Sequence, residues 1–147
     1  MKLSTRGQYG SRLLLDLALH QTRGPVLLRD IASRQQIPLP YLKQLVAPLV
    51  GGGLLRSTRG AKGGLFLAKP PEQIRLNEVV QLLEGPIAPV ECVNDPTVCE
   101  RAPTCAPRDV WIELQKAIEG VLEANTLRDL MERQREKEEP VGAMYNI

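Results

Sequence analysis

The 147-residue sequence predicts a mainly α-helical fold with a small β wing, namely a winged helix-turn-helix followed by a long dimerisation helix. In the first half, residues 28–51 form two amphipathic patterns broken at Ile37-Pro38, and residues 54–67 hold two short apolar runs around a glycine-rich tip. In the second half, apolar residues recur every three or four positions from Val110 to Leu122, which indicates one long helix. A helix-turn-helix with an adjoining hairpin typically places its second helix in a DNA major groove.

The second helix of this motif has clear start and stop signals. Pro40 opens it, because the missing N–H of a proline would be unpaired in a first helical turn anyway. Glycines 51–53 end it, because glycine accepts the left-handed conformation that often follows a helix. Pro48 lies inside the pattern and predicts a kink or an early end near residues 44–47.

The candidate DNA-contacting residues fall in three places: the first helix, the second helix of the motif and the wing. Gln44 is able to bond adenine through two atoms, and Lys43 to donate to guanine O6 and N7. Arg59 of the wing is expected in a minor groove, where negative potential attracts arginine. For Arg6 of the first helix, a solvated surface charge is an equal alternative to a contact with the DNA backbone. The full set is Arg6, Pro40, Tyr41, Lys43, Gln44, Arg59 and Lys62.

The charge distribution supports a nucleic-acid partner. Residues 1–69 carry eleven Lys and Arg against two Asp, a net charge of +9. Residues 70–147 carry eight against fifteen Asp and Glu, a net charge of −7. A basic half joined to an acidic half is the expected footprint of a domain that binds double-stranded DNA, followed by a segment with another task. The alternative is an ordinary helical core with a hairpin.

Composition changes divide the chain into four parts. The first begins with a helix of about 15 residues that follows Ser4. The second holds five prolines and all three cysteines, and its prolines predict a loop without regular structure. The parts are a winged helix-turn-helix over residues 1–84, a cysteine-containing loop over 85–107, the dimerisation helix and a short helix over 108–131, and a charged, disordered tail over 132–147.

The apolar stripe of the long helix predicts a homodimer. The remaining domain is small, so a stripe running from Arg108 to about Glu123 is expected to pack against the same helix of a second chain. Packing onto its own domain is the alternative. Thr126 is placed to cap a final helix whose first turn carries Asp129.

Other classes of protein are disfavoured by what the sequence lacks. No apolar run approaches the roughly 20 residues that span a bilayer, and the N-terminus has no secretory signal. An odd number of cysteines favours a reduced, cytoplasmic setting over a disulfide framework. An enzyme is not expected, because there is no nucleophile–base constellation and no phosphate-binding glycine loop. The single histidine, His20, is expected to be structural.

Cys92, Cys99 and Cys105 form a Cys-x6-Cys-x5-Cys pattern within 14 residues. Thiolates in a loop suit a soft metal centre. Zinc sites usually show paired knuckles and four ligands, whereas iron–sulfur clusters tolerate looser spacing. Three unligated thiols, or one disulfide and a spare thiol, remain the alternatives.

Residues 1–10 (MKLSTRGQYG), 37–45 (IPLPYLKQL) and 59–64 (RGAKGG), with the three cysteines before the long helix, together resemble the bacterial winged-helix iron–sulfur transcription regulators that include IscR and NsrR. The similarity extends from Met1 to about Met131. It implies a homodimer on palindromic promoter DNA that senses iron–sulfur status, redox state or nitric oxide through a cluster. A [2Fe–2S] cluster is favoured, with [4Fe–4S] as the alternative, and cluster-assembly or transfer proteins are implied as partners.

The resemblance leaves the fourth cluster ligand unknown. Arg108 stands where the IscR branch has a ligating histidine, and Gln8 stands where the NsrR branch has an aspartate from the partner subunit. Lys43 replaces an acidic residue that helps IscR select its DNA sequence. A cofactor-free regulator whose cysteines are thiol redox sensors or spare thiols is the alternative function.

Overall fold

A computed structural model describes residues 2–60 and 63–139. Within these residues the fold is mainly helical with one two-stranded antiparallel sheet, which confirms the predicted fold class. None of the described helices is long and apolar enough to cross a membrane. The elements are α1 (Thr5–His20), α2 (Leu28–Gln35), α3 (Leu39–Gly51), β1 (Leu55–Thr58), β2 (Gly64–Leu67), α4 (Leu76–Glu84), α5 (Glu91–Asn94), α6 (Ala106–Ala124) and α7 (Leu127–Glu138).

The turn between α2 and α3 lies where the sequence predicts it. Gln36 adopts a left-handed conformation with φ of 54°, and the buried Ile37 donates its N–H to the carbonyl of Ala32 at 3.1 Å. Pro40 lies in the first turn of α3, as predicted. The two helices therefore meet through a tight turn anchored in the core.

The expected early end of α3 at Pro48 is wrong, because the helix continues to Gly51. The proline lacks the N–H that would bond the carbonyl of Gln44. Gln44 is an exposed residue, so a carbonyl without this bond costs less there than it would in the core. Leu45 and Leu49, each fully buried, hold the helix against the core on both sides of the proline. Gly53 then takes the left-handed conformation, with φ of 77°.

The wing is the hairpin of β1 and β2, paired from Leu55 opposite Leu67 to Thr58 opposite Gly64. Val26 adds a third backbone partner, because it exchanges both hydrogen bonds with Leu65 at 3.0 and 2.8 Å. A Cβ atom at Gly64 would lie 2.9 Å from the Val26 carbonyl oxygen, so glycine permits this close approach. The hairpin is thereby fixed to the segment that leads into α2.

One apolar core holds the helices and the wing together. Leucine supplies most of it, with isoleucine, valine, alanine and methionine as the other members. Short backbone bonds also fix the start of α4 to the start of α7: Leu127 donates to the Ile74 carbonyl at 2.8 Å, and Leu76 to the Asn125 carbonyl at 2.9 Å. The fully buried members include Leu13, Leu14, Leu17, Ile31, Leu42, Leu45, Leu49, Leu54, Ile74 and Val79.

Residues 85–107 are more regular than their prolines predict. They contain α5 and two single-turn 3₁₀ helices, Pro96–Val98 and Ala102–Thr104. The expectation that the prolines exclude regular structure is wrong, because Pro96 and Pro103 stand in the first positions of these turns. A proline loses no hydrogen bond there.

The expected disordered tail over residues 132–147 is wrong for its first part, because α7 is helical to Glu138. Thr126 and Asp129 form a reciprocal capping box, and hydrogen bonds from Thr126 hold the pKa of Asp129 below its usual value. The buried Leu127 and Met131 anchor the helix in the core. Residues 140–147 of the predicted tail lie outside the described residues.

The sole buried charged residue among those described is Asp16 of α1, with 1% of its surface exposed. The Arg34 guanidinium of α2 donates to both carboxylate oxygens, at 2.6 Å from Nη2 and 3.0 Å from Nε. Gln35 adds a third donor at 3.0 Å. This arrangement ties α1 to the helix before α3, and the bond to Asp16 raises the pKa of Arg34.

Asp16→Ala is expected to lower the free energy of unfolding by about 2–3 kcal/mol, because it removes charge-assisted hydrogen bonds at a buried site. Urea unfolding followed by circular dichroism measures this change. The matched control is Glu132→Ala, which removes an exposed partner of Arg128 and should cost less than about 1 kcal/mol. Equal losses in the two variants would contradict a tethering role for Asp16.

Candidate nucleic-acid interface and cysteine segment

The outer face of α3 presents three of the predicted DNA-contacting residues together. Pro40, Lys43 and Gln44 are exposed, and their spacing of three and four positions places them on one face of the helix. Leu42 and Leu45 point the opposite way, because both are fully buried. The exposed face thus offers an ammonium group and an amide within the first half of the helix, with no apolar side chain between them.

Tyr41 differs from its neighbours because it is half-buried. Its ring meets the Tyr9 ring edge to face, with centroids 5.3 Å apart and planes at 84°. The guanidinium of Arg12 lies 5.5 Å from the Tyr9 centroid on the same stack. Tyr41 therefore contributes to the packing of α3 on α1.

The wing exposes two arginines, one within β1 and one directly after it. Arg59 follows β1 directly and is exposed, as its predicted role requires. Arg56 is also exposed, opposite Phe66 in the register, and sequence reasoning missed it because the first strand was placed at residues 54–55. Lys62 lies outside the described residues.

Arg6 is exposed but bonded, because its Nε donates to the Leu83 carbonyl at 3.2 Å. Beside it, the carboxylate of Glu84 accepts from the backbone N–H groups of Ser4 and Gly7 at 2.9 and 3.0 Å. A carboxylate at a helix N-terminus is favourable. The start of α1 is consequently clamped to the end of α4, the point where residues 85–107 begin.

The three cysteines lie at successive turns of residues 85–107. Cys92 is half-buried on α5, Cys99 is exposed, and Cys105 is half-buried directly before α6; all three are free thiols. Arg108 donates from Nε and Nη2 to the Cys92 carbonyl at 3.3 and 3.2 Å. Among residues 2–60 and 63–139, no three His, Cys, Asp or Glu side chains are gathered closely enough to hold a metal ion.

Helix α6 contacts α4 and α5, but its apolar stripe is uncovered in the described chain. None of residues 106–124 is buried there, and the exposed fractions of Val110 and Val121 reach 54% and 64%. A shallow cavity on this stripe is lined by four apolar residues of the described chain, Ala117, Ile118, Val121 and Leu122. Gln115 fastens the inner side of the helix to the Ile87 carbonyl at 2.8 Å.

Comparison with known families matches residues 3–133 to Rrf2, described as an iron-dependent transcriptional regulator. The chain belongs to the Rrf2 family. The resemblance drawn from the sequence motifs is thereby confirmed.

Relatives of known sequence and structure agree with this assignment. The protein is 45% identical over 131 residues to Protein rrf2 of Nitratidesulfovibrio vulgaris, covering 89% of this chain and 87% of the relative. IscR of T. potens superimposes with a TM-score of 0.80 at 37% identity, covering 99% of this chain and 96% of the other. CymR, the global cysteine regulator of B. subtilis, superimposes with a TM-score of 0.76 at 39% identity, covering 90% and 98%.

The Rrf2 membership establishes a DNA-binding transcription regulator. Its relatives are regulators and not enzymes, as expected from the sequence. Both IscR and CymR are structural neighbours of this chain. Family membership alone therefore does not distinguish an iron–sulfur cluster from a cofactor-free thiol sensor at the cysteines.

Proposed function

We propose that this Rrf2 protein acts as a homodimer on double-stranded promoter DNA and senses iron–sulfur status, redox state or nitric oxide through an iron–sulfur cluster bound by Cys92, Cys99 and Cys105. The observation that carries the proposal is the placement of three free thiols between α4, which is clamped to the start of α1, and the long helix α6. A ligand bound by this segment would act on both helices that flank it.

The donor set fits a cluster in its chemistry. Thiolates are the usual protein ligands of iron–sulfur centres, and Cys92 and Cys105 are partly shielded from solvent. The three thiols are not gathered into a metal-holding group in the described residues, so binding a cluster would require the short turns between them to move. The cluster would supply a centre that reacts with oxidants or nitric oxide, and a [2Fe–2S] form is the preferred assignment. Its fourth ligand is left open.

A thiol sensor without a cofactor is the second candidate. Two observations favour it: the three thiols are not gathered into a metal-holding group in the described residues, and the chain resembles CymR, the global cysteine regulator of B. subtilis. In this version the exposed Cys99 is the thiol that oxidants reach first.

One experiment separates the two candidates. The protein is purified without oxygen and reconstituted with iron and sulfide, then its absorbance spectrum, iron and sulfide are measured. The cluster proposal predicts a coloured protein with stoichiometric iron and sulfide. A colourless, iron-free protein that binds DNA and loses this binding on reversible thiol oxidation would support the second candidate.

DNA recognition is proposed to use the α3 face with Pro40, Lys43 and Gln44, with Tyr41 beside it, and the wing with Arg59 and Lys62. Arg6 is assigned to the phosphate backbone, near the clamped start of α1. The basic charge of residues 1–69 supports this surface. The operator sequence is obtained by selection of bound duplexes from a random pool.

Arg59→Ala is expected to weaken binding to the selected operator about tenfold or more at moderate salt, because an arginine in a groove contributes about 1–3 kcal/mol. Lys43→Ala should instead change which sequence is preferred. Gel-shift titration measures both effects, and Arg128→Ala, which removes the same charge from the exposed side of α7, is the control. Unchanged affinity in Arg59→Ala would contradict the role given to the wing.

A further inference from the structure

A cavity of about 500 Å³ lies where α1 meets the ends of α2 and α7, apart from the cysteine segment. Arginines from all three helices line it: Arg12, Arg34 and Arg135. Two partly buried leucines of α1, Leu15 and Leu19, provide an apolar wall. Cavities of a few hundred Å³ that combine apolar surface with a few directed polar groups are typical of small-molecule sites.

The charge of this cavity is positive. Asp16 and Glu138 also line it, but Asp16 is buried beneath Arg34, and Glu138 accepts a hydrogen bond from Gln134 at 2.8 Å. Three arginines against two carboxylates leave one net positive charge when His20 is counted as neutral. An anion with a single charge would therefore balance the site.

Several guanidinium donors remain unused among the described residues. Arg12 uses Nε and Nη2 on Gln35, and Arg34 uses Nε and Nη2 on Asp16, so neither Nη1 donates to another described group. The Arg135 side chain is exposed and makes no hydrogen bond or ion pair with another described residue; the nearby carboxylates of Glu138 and Glu132 are bonded to Gln134 and Arg128. Planar guanidinium groups bind carboxylates through paired hydrogen bonds and stack on aromatic rings.

We propose that this cavity is a second ligand site, which binds a small organic carboxylate with an apolar body. Arg12 and Arg135 hold the carboxylate, and the apolar body lies against Leu15 and Leu19. The site is coupled to α3, the proposed recognition helix. Gln35 lines the cavity, and the next residue, Gln36, has the left-handed conformation that leads into α3. The protein is thus equipped to respond to a metabolite as well as to the chemistry of its cysteines.

Calorimetry on the full chain tests the proposal with phenylbutyrate as the probe and phenylbutylamine, which has the same apolar body and the opposite charge, as its counterpart. Phenylbutyrate is expected to bind and the amine not to bind. Arg135→Gln should weaken phenylbutyrate binding about tenfold, since a charge-assisted hydrogen bond is lost. The matched variant Arg128→Gln on the same helix faces Glu132 and should bind within about twofold of the parent.

Three results would overturn the proposal. Phenylbutyrate fails to bind at millimolar concentration, or the amine binds as well as the acid, or Arg135→Gln binds as the parent does. A different assignment follows if inorganic phosphate binds more tightly than phenylbutyrate and Arg135→Gln lowers DNA affinity with no small anion present. In that case the cavity receives a backbone phosphate of DNA, and the ligand site is rejected.

Discussion

Replacing Ile118 with aspartate should convert the proposed dimer to a monomer and lower its affinity for a palindromic operator about a hundredfold or more. Ile118 lies in the middle of the uncovered apolar stripe of α6, in the shallow cavity that it lines with Ala117, Val121 and Leu122. A dimer that packs this stripe against its copy would bury the new carboxylate without a partner, which is strongly unfavourable. The two recognition helices would then bind their half-sites separately, and the gain of about two orders of magnitude from linkage would be lost.

Light scattering gives the mass of the variant, which is expected near the 16.3 kDa of one chain, and gel shift gives its affinity. Lys116→Asp introduces aspartate on the same helix outside the apolar stripe, so it should stay dimeric. Circular dichroism should be unchanged in both variants, because no residue of α6 belongs to the described core. An Ile118→Asp protein that remains a dimer would show that α6 is not the interface.

Local patterns were sufficient to predict most helices, because each of these helices buries one regular apolar face. The starts of α2 and α3 and the break at Ile37-Pro38 follow from such patterns and from Pro40 in the first turn of α3. The position of β1 was harder to predict from the sequence, because Arg56, Ser57 and Thr58 are polar and exposed. What makes them a strand is backbone pairing with β2, and this leaves no periodic signal in the side chains.

Long-range contacts were not predictable from the sequence. Asp16 sits in an apolar helix with no sign that its partner is Arg34, 18 positions later. The clamp of Glu84 on the start of α1 spans 77 positions or more. The charged residues 132–138 suggested a tail, but the anchors Leu127 and Met131 precede them and draw α7 onto the core. Each of these features depends on which surfaces the fold brings together.

The chemistry of the candidate site was more visible in the sequence than its geometry. Three cysteines within 14 residues indicate thiolate chemistry by their number alone. Their spacing did not predict that Cys92 lies on a helical turn, or that Cys105 directly precedes α6. Nor did it predict that Arg108 donates hydrogen bonds to the backbone carbonyl of Cys92.

Alanine substitution of Cys92, Cys99 or Cys105 should abolish the reconstituted cluster and leave a folded dimer. None of the three cysteines belongs to the described apolar core, so their removal should cost little stability. Iron and sulfide content measures the first effect, and light scattering measures the second. Single variants that retain a complete cluster would refute the ligand assignment, and variants that unfold would show that the thiols have a structural role.

Arg108→His should make the cluster longer-lived in air. The guanidinium of Arg108 already reaches the Cys92 carbonyl at 3.2 Å, so an imidazole at this position starts close to the cysteine segment. Arginine does not serve as an ordinary metal ligand, whereas a neutral imidazole does. Arg108→Ala separates the two consequences of the change, because it removes the bond to Cys92 and adds no ligand. If the histidine variant loses its absorbance as slowly as expected and the alanine variant loses it at least as fast as the parent, the parent cluster has a weak fourth ligand. If the cluster of the histidine variant loses its absorbance at the rate of the parent cluster, residue 108 is not the position of a weak fourth ligand. The sensitivity of the cluster must then have another origin.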